Sequence, residues 1–377
     1  MSVKSSDRVV VGLSGGVDSA VAALLLKEQG LDVHGLFMAN WEEDDEYCTT
    51  AQDFQDARAV ARELSIPLHR VSFAAAYREQ VFDHFLREHR AGRTPNPDVL
   101  CNREVKFGLA LPYARRLGAR WFATGHYARI EGDGAGGVRL LKARDTAKDQ
   151  SYFLHALTCE QLAATLMPLG TLHKHEVRGR ARRAGLPVFD KPDSTGICFI
   201  GERPFRDFLG RYLADEPGEI LSADGESLGA HRGLAFYTLG QREGLHVGGR
   251  RGRDEAPWYV AAKDAVRNAL IVVQGHDHPL LTSHELTTGP MHWLMAAPPS
   301  GPLRCAVKVR YRQADQPAQL EPLADGAVRI HFEDAQRAVT PGQYAVVYDG
   351  DRCLGGAVIE SVASARYTSQ SLATTAA

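Results

Sequence analysis

The stretch Gly12-Leu13-Ser14-Gly15-Gly16-Val17-Asp18-Ser19 constrains this chain more than any other. The apolar run Val9 to Val11 enters it. Ala20, Val21, Leu24 and Leu25 leave it at helical spacing, closed by Lys27 and Gly30. The order is therefore strand, glycine loop, helix. Two adjacent glycines let the backbone turn where a Cβ would clash, so amide N–H groups converge on an anion. The free N–H groups and dipole of the helix that opens there favour negative charge at the same point. Ser14 and Ser19 add hydroxyls, and Asp18 puts a carboxylate where Mg²⁺ can bridge to a phosphate. The loop has no Lys-Ser/Thr pair of the Walker A kind and no Gly-x-Gly-x-x-Gly spacing.

SGGVDS behind an apolar strand resembles the pyrophosphate loop of the PP-loop ATP pyrophosphatases. That resemblance implies an enzyme that splits ATP to AMP and pyrophosphate and attaches the AMP to a carbonyl-type oxygen. The acceptor has to be read elsewhere. Strands over 31–38, 66–73 and 121–124 alternate with helical patterns around Phe54–Leu64, Tyr77–Leu86 and Lys106–Leu117. Such alternation predicts a doubly wound parallel sheet, with ligands at the carboxyl ends of its strands. Met38 ends the second strand and reads either as an adenine contact or as core.

Thr94-Pro-Asn-Pro-Asp-Val-Leu-Cys-Asn-Arg103 lies between two of these helices. Its two prolines predict an extended turn, with Cys101 just before a helix start. Nearby Arg103 and Lys106, together with a helix N-terminus, favour the thiolate, so Cys101 reads as a nucleophile. Thr124-Gly-His-Tyr-Ala-Arg129 follows the fourth strand, which puts Gly125 on the ligand side. Residues 127–145 predict a hairpin. Lys148-Asp149-Gln150 combines polar groups with the apolar Tyr152, Phe153 and Leu154. His173 to Ala184 is an arginine-rich helix, either solvated or touching phosphates. Lys191 to Ile200 is an irregular loop carrying Cys198.

Near Gly201 the alternation stops. Residues 205–275 read as a small, mostly β module. Short strands at 303–311, 327–332, 344–348 and 356–359 predict a β-barrel. Arg304, Lys308, Arg310 and Arg312 alternate as though on one strand face. The expected division is a catalytic domain over 1–200, a central domain over 201–275, a barrel over 276–363 and a disordered tail over 364–377.

The net charge is −2, so nucleic-acid binding has to come from local basic patches. No apolar run is long enough to span a bilayer, and the N-terminus lacks a signal-peptide core, which makes a cytoplasmic protein the expectation. Six cysteines without a CxxC pair argue against zinc or an iron–sulfur cluster. A monomer is expected.

GLSGGVDS, FMANWEEDD, TPNPDVLCNREVKFG, TGHYAR, KDQSYFL, DSTGICFIGERPF and TLGQREGLHVGG, in that order, resemble the bacterial tRNA-specific 2-thiouridylase family over all but the tail. The resemblance implies that Gly12, Leu13, Ser14, Gly15, Gly16, Val17, Asp18, Ser19, Met38 and Gly125 bind ATP. It implies that Asn96, Pro97 and Asp98 meet the target base, with Asp98 also placed to shuttle a proton. Cys101 matches the nucleophile and Cys198 the persulfide carrier. His126, Lys148, Asp149, Gln150, Tyr311, Arg312 and Gln343 match tRNA-contacting positions. The implied substrate is wobble uridine 34 of lysine, glutamate and glutamine tRNAs, and a sulfur-donor protein is the implied partner. The alternative is another PP-loop ligase that adenylates a small molecule, which has no need of two reactive cysteines.

Overall fold

Val9, Val10 and Val11 have no exposed surface, and the strand they form, β1 (Arg8–Gly12), is the centre of a sheet. The computed structural model describes residues 4–41, 49–134, 136–193, 205–248 and 256–364. In chain order β1 is followed by β2 (Asp32–Ala39), β3 (Leu68–Ser72), β4 (Trp121–Ala123), the hairpin β5 (Ala128–Gly132) and β6 (Val138–Lys142), and β7 (Thr165–Leu166). The first sheet runs β3-β2-β1-β4-β7, parallel throughout. The chain order reverses between β1 and β4, and in such sheets the ligand crevice opens at that point beyond the carboxyl ends.

The period of two along β1 sorts its side chains between two cores. Val9 and Val11 pack with α1 (Val17–Glu28), α2 (Thr50–Glu63) and the Lys174–Arg183 helix. Val10 packs on the opposite face with Val99, Phe107, Ala110 and Leu111. These last four lie on one continuous helix built from Pro97–Leu100, a π-helical Cys101–Ala110 and Leu111–Arg116. This corrects the expected extended turn. Asn96 caps the helix by accepting the Asp98 N–H at 3.2 Å, and Pro97 sits in the first turn, where its missing N–H costs nothing.

The middle unit is a sheet of β8 (Gly218–Ser222), β9 (Ser227–His231), β10 (Trp258–Asp264) and β11 (Ala269–Gln274), ordered β10-β11-β8-β9. Ile220, Leu228, Val260, Leu270 and Val272 share one core with Trp41, Phe82 and Cys101, so this unit is welded to the first.

The third unit contains β12 (Thr282–Thr288), β13 (His292–Trp293), β14 (Leu303–Lys308), β15 (Gln316–Pro322), β16 (Val328–Arg337), β17 (Tyr344–Asp349) and β18 (Arg352–Ser364). The order β12-β16-β15-β14-β17-β18, with β12 also paired to β18, closes a six-stranded barrel. β14 stops at Lys308, so Arg310 and Arg312 do not continue a face with Arg304. Lys308 is buried, with its ammonium 5.5 Å from the centre of the Tyr348 ring. The expected basic strand face is therefore absent. The β5–β6 hairpin, which follows β4 of the first sheet, pairs with β18 through Leu141 and Arg352. Among the described residues no helix is long and apolar enough to cross a membrane.

Candidate functional site

The loop Gly12–Ser19 leaves β1 at the switch point. Gly15 has φ +79°, and a Cβ there would run into the backbone carbonyl of Asp53. The Ser14 and Ser19 hydroxyls lie 3.2 Å apart, and Ser19 also donates to the Gly16 carbonyl at 3.0 Å. Leu13 and Val17 are buried and anchor the loop in the core. Gly125, beyond β4, closes on the loop from the other side. A Cβ on it would stand 2.7 Å from the Ser19 nitrogen and 2.8 Å from the Asp18 carbonyl carbon. Met38 is buried at the end of β2, its methyl 3.5 Å from the Cβ position of Gly12. The ten residues assigned to ATP by sequence thus sit at the ends of three adjacent strands.

Beside the loop the structure brings together residues from two segments read separately in the sequence, Lys148, matched to a tRNA contact, and the basic helix of Lys174 and Arg178, with Tyr127, Lys191 and Asp193. The Lys174 ammonium donates to both Asp18 oxygens at 2.7 Å and lies 2.8 Å from Asp193. Lys148 and Arg178 also reach Asp193, each at 2.7 Å. The Tyr127 hydroxyl donates to Asp18 at 2.8 Å. Burial and the Asp18 carboxylate together push the Tyr127 phenol far above its ordinary range. Burial raises Asp193, but hydrogen bonds from Lys148 and Lys174 outweigh it and hold the carboxyl well below its ordinary range. Lys191 donates to the Gly15 carbonyl at 3.2 Å and pairs with Asp53 and Asp56 at 2.7 and 2.6 Å. Three lysines therefore ring the loop, which suits a polyphosphate. Carboxylate and hydroxyl oxygens at Asp18, Ser14 and Ser19 are the hard donors Mg²⁺ takes. Among the described residues no cluster of three or more His, Cys, Asp or Glu is arranged to hold a metal.

The helix that starts at Pro97 ends by feeding β4, so its N-terminus lies at the same carboxyl edge as the loop. Asn96, Pro97 and Asp98 are half-buried there. Cys101 is fully buried, beside Trp41, Phe82 and Val105. It is the fifth residue of the helix rather than its cap, and Arg103 is matched by Glu104 at 2.6 Å. The helix dipole's effect fades beyond the first turn, which ends before this residue. Cys198 lies outside the described residues.

The positions assigned to tRNA fall into three settings. His126 is buried and accepts or donates to the Thr124 hydroxyl at 2.9 Å; burial first, and Lys106 second, keep it neutral. Asp149 is buried and accepts from the Ser151 hydroxyl at 2.8 Å and the Ala143 N–H at 2.9 Å. Gln150 accepts the Tyr127 N–H at 2.9 Å. Tyr311 packs on Phe153 with ring centres 4.4 Å apart, and Arg312 is exposed beside it. Gln343, from the barrel, donates to the Thr94 and Pro95 carbonyls at 2.8 and 3.2 Å. The barrel therefore holds the segment that leads into Asn96-Pro97-Asp98.

Relatives match over nearly the whole chain. A protein of Marinobacter nauticus named tRNA-specific 2-thiouridylase MnmA is 57% identical over 357 residues, covering 94% of this chain and 91% of that protein. Its counterpart in Burkholderia thailandensis is 56% identical over 368 residues, covering 95% of each. The chain belongs to the MnmA tRNA-specific 2-thiouridylase family. This MnmA-family chain matches the tRNA methyl transferase HUP domain over residues 7–202, the tRNA methyl transferase PRC-barrel domain over 206–274 and the aminomethyltransferase beta-barrel domain over 283–359. Among solved structures, a 4-thiouridine synthetase–RNA complex with bound ATP is 19% identical to this MnmA-family chain, with a TM-score of 0.33, over 52% of this chain and 46% of that one.

Proposed function

We propose that this chain thiolates tRNA: it adenylates the C2 oxygen of a uridine with ATP and replaces that oxygen with sulfur. One observation carries the reading. The glycine loop and the Asn96–Cys101 helix start, distant in sequence, share the carboxyl edge of one parallel sheet. A base lying on Asn96-Pro97-Asp98 then faces a phosphate cradle.

The chemistry follows from the leaving group. A carbonyl oxygen leaves poorly. Its attack on the α-phosphorus of ATP expels pyrophosphate and turns that oxygen into part of an AMP group. Lys174, Lys191 and Lys148 stand where charge builds on the departing phosphates, and backbone N–H groups of the loop hold them. For Lys174 to do so it exchanges Asp18 for phosphate, which frees the Asp18 carboxylate for a Mg²⁺ that offsets phosphate charge when bound. Sulfur then adds to C2 and AMP departs with the former oxygen. The sulfur comes from a persulfide on Cys198, loaded by a donor protein. In one order Cys101 attacks the Cys198 sulfur, hydrosulfide leaves and adds to C2, and a Cys101–Cys198 disulfide remains. In the other order the terminal sulfur adds to C2 first and Cys101 then releases it. Either way a thiol reductant must return two electrons before the next turnover. Asp98 is placed to move the proton. Uridine 34 of lysine, glutamate and glutamine tRNAs is the proposed target, and the base leaves the anticodon stack to reach the site. Because Cys101 is buried, tRNA docking has to uncover it.

The test is sulfur transfer in vitro. The protein is incubated with ATP, Mg²⁺, a cysteine desulfurase with cysteine, and lysine tRNA transcript, and nucleosides are read by mass spectrometry. 2-Thiouridine with the wild type and none with Cys101→Ser or Cys198→Ser is the expected result. Adenylation of a small molecule without tRNA would favour the ligase reading. Product from either cysteine variant would overturn the two-cysteine route.

A further inference from the structure

A cavity of about 300 Å³ opens where the three units meet, beside Thr94, whose carbonyl the barrel residue Gln343 holds. The first unit contributes Gly92, Arg93 and Thr94, the middle unit the β10 edge from Val260 to Lys263, and the barrel Leu281 and Val339 among others. Most of the wall is aliphatic. Its polar side chains are already committed. Arg93 is paired with Glu88 and with Glu360. Thr340 donates to the Ala338 carbonyl at 2.8 Å, and Ser283 to the Glu285 carbonyl at 2.7 Å.

Lys263 is different. Its half-buried ammonium donates to the Gly92 carbonyl at 2.9 Å, and among the described residues no carboxylate lies within ion-pair distance of it. Burial alone pulls this amine down to about 8. The field behind the wall has the same sign. Arg310 donates to the carbonyls of Ala338 and Leu239, two lining residues, at 2.9 and 3.5 Å. Arg337 stacks on Tyr259, 4.8 Å from the ring centre, and one of its buried guanidinium nitrogens has no hydrogen-bond partner. Neither arginine has a carboxylate within ion-pair distance among the described residues. Lys263 is thus the one lining cation without a carboxylate among the described residues, and the half-buried Arg337 and exposed Arg310 behind the wall add charge of the same sign.

We propose that this cavity binds a small organic acid, a monocarboxylate on a short apolar body, with Lys263 as its counter-ion. The size is at the lower end of small-molecule pockets. The aliphatic wall selects an apolar body, and one ammonium within reach selects one negative charge. A phosphate dianion would bring more charge than a single half-buried ammonium neutralises, and would leave the apolar wall unused. The occupant would touch all three units at once, two residues ahead of Asn96. This reading is independent of the thiolation chemistry, since none of the residues invoked belongs to the glycine loop or to the cysteine site.

Benzoate, its neutral isostere benzamide and inorganic phosphate serve as probes on the full-length protein, with binding read by saturation in ligand-observed NMR. Benzoate is expected to bind with a Kd of about 1 mM or tighter, the strength a ligand of this size reaches in a formed pocket. Benzamide and phosphate should bind at least about tenfold more weakly, the loss of one matched charge against an apolar wall. Lys263→Met should weaken benzoate to the same degree, while Lys263→Arg should retain it; matching circular dichroism melts of both variants show that the fold is kept. Benzoate should also protect Lys263 from acetic anhydride, with the exposed Lys4 as the internal control in the same mass spectrum. Equal binding of benzoate and benzamide, unchanged binding by Lys263→Met, phosphate in preference to benzoate, or no saturation and no protection would each overturn the proposal.

Discussion

Gly125 illustrates how much one hydrogen atom does at this site. Its backbone lies so close to the amide of Ser19 that a methyl group would stand 2.7 Å from that nitrogen. Gly125→Ala therefore pushes the end of β4 away from the loop. The expected outcome is at least about tenfold weaker ATP binding by calorimetry, as expected where a donor cradle is displaced, with a stability loss of about 1–3 kcal/mol. Asp193 offers a second residue-scale test. Its carboxyl titrates below its unfolded value because Lys148 and Lys174 hold it despite burial. A depressed carboxyl contributes stability that is full above the unfolded pKa and drains away as pH falls through the folded one. Asp193→Asn should accordingly destabilise at pH 7, and the gap to wild type in urea midpoint should shrink steadily below about pH 4. A gap that stays constant down to pH 2.5 would sink this account. The sequence named the loop residues because their spacing is local. It did not pair Lys174 with Asp18 and Asp193, because 156 residues separate Lys174 from Asp18. The helix that carries this lysine packs in one core with α1 through Val177 and Ala181, a contact with no local signature.

Elements were legible where periodicity is long and hidden where position outweighs composition. The parallel sheet and the β5–β6 hairpin follow from apolar runs between turn residues. The helix from Pro97 does not, since two prolines in three residues read as a breaker until one of them occupies the first turn. That start depends on Asn96, whose side chain accepts the Asp98 N–H. Asn96→Ala should cost about 1 kcal/mol in chemical denaturation, and it should impair thiolation more than ATP binding, because it loosens the segment proposed to meet the base. Equal losses in both would place Asn96 in the nucleotide site instead. β14 shows the opposite failure. Alternating basic residues suggested one exposed face, but the strand ends at Lys308, which is buried among Asp149, Asp315 and the Tyr348 ring. A carboxylate supplied from about 160 residues earlier leaves no local trace.

At the scale of the whole molecule, what distinguishes this chain from a bare nucleotide-binding sheet is the grip of the barrel on the first unit. Thr94 donates its N–H to the Pro341 carbonyl at 3.0 Å, and Gln343 takes the next two carbonyls. Between them Gly342 has φ +93°, and a Cβ there would lie 2.9–3.0 Å from the Thr94 backbone. Any larger residue is both strained in its own backbone and wedged against the partner segment. The barrel itself closes through β12 and β18 and has its own core. Gly342→Val should therefore separate two functions that the native structure keeps together. ATP binding, proposed for the edge of the first sheet alone, should stay within about twofold of wild type, a change of less than about 0.5 kcal/mol. 2-Thiouridine formation should fall at least about tenfold, since Thr94 and Pro95 lose the brace that sets Asn96-Pro97-Asp98. A variant that loses both together, with a broadened melt, would mean that the junction supports the fold of the first unit and not the placement of the base. Intact thiolation would mean that the latch has no part in catalysis at all.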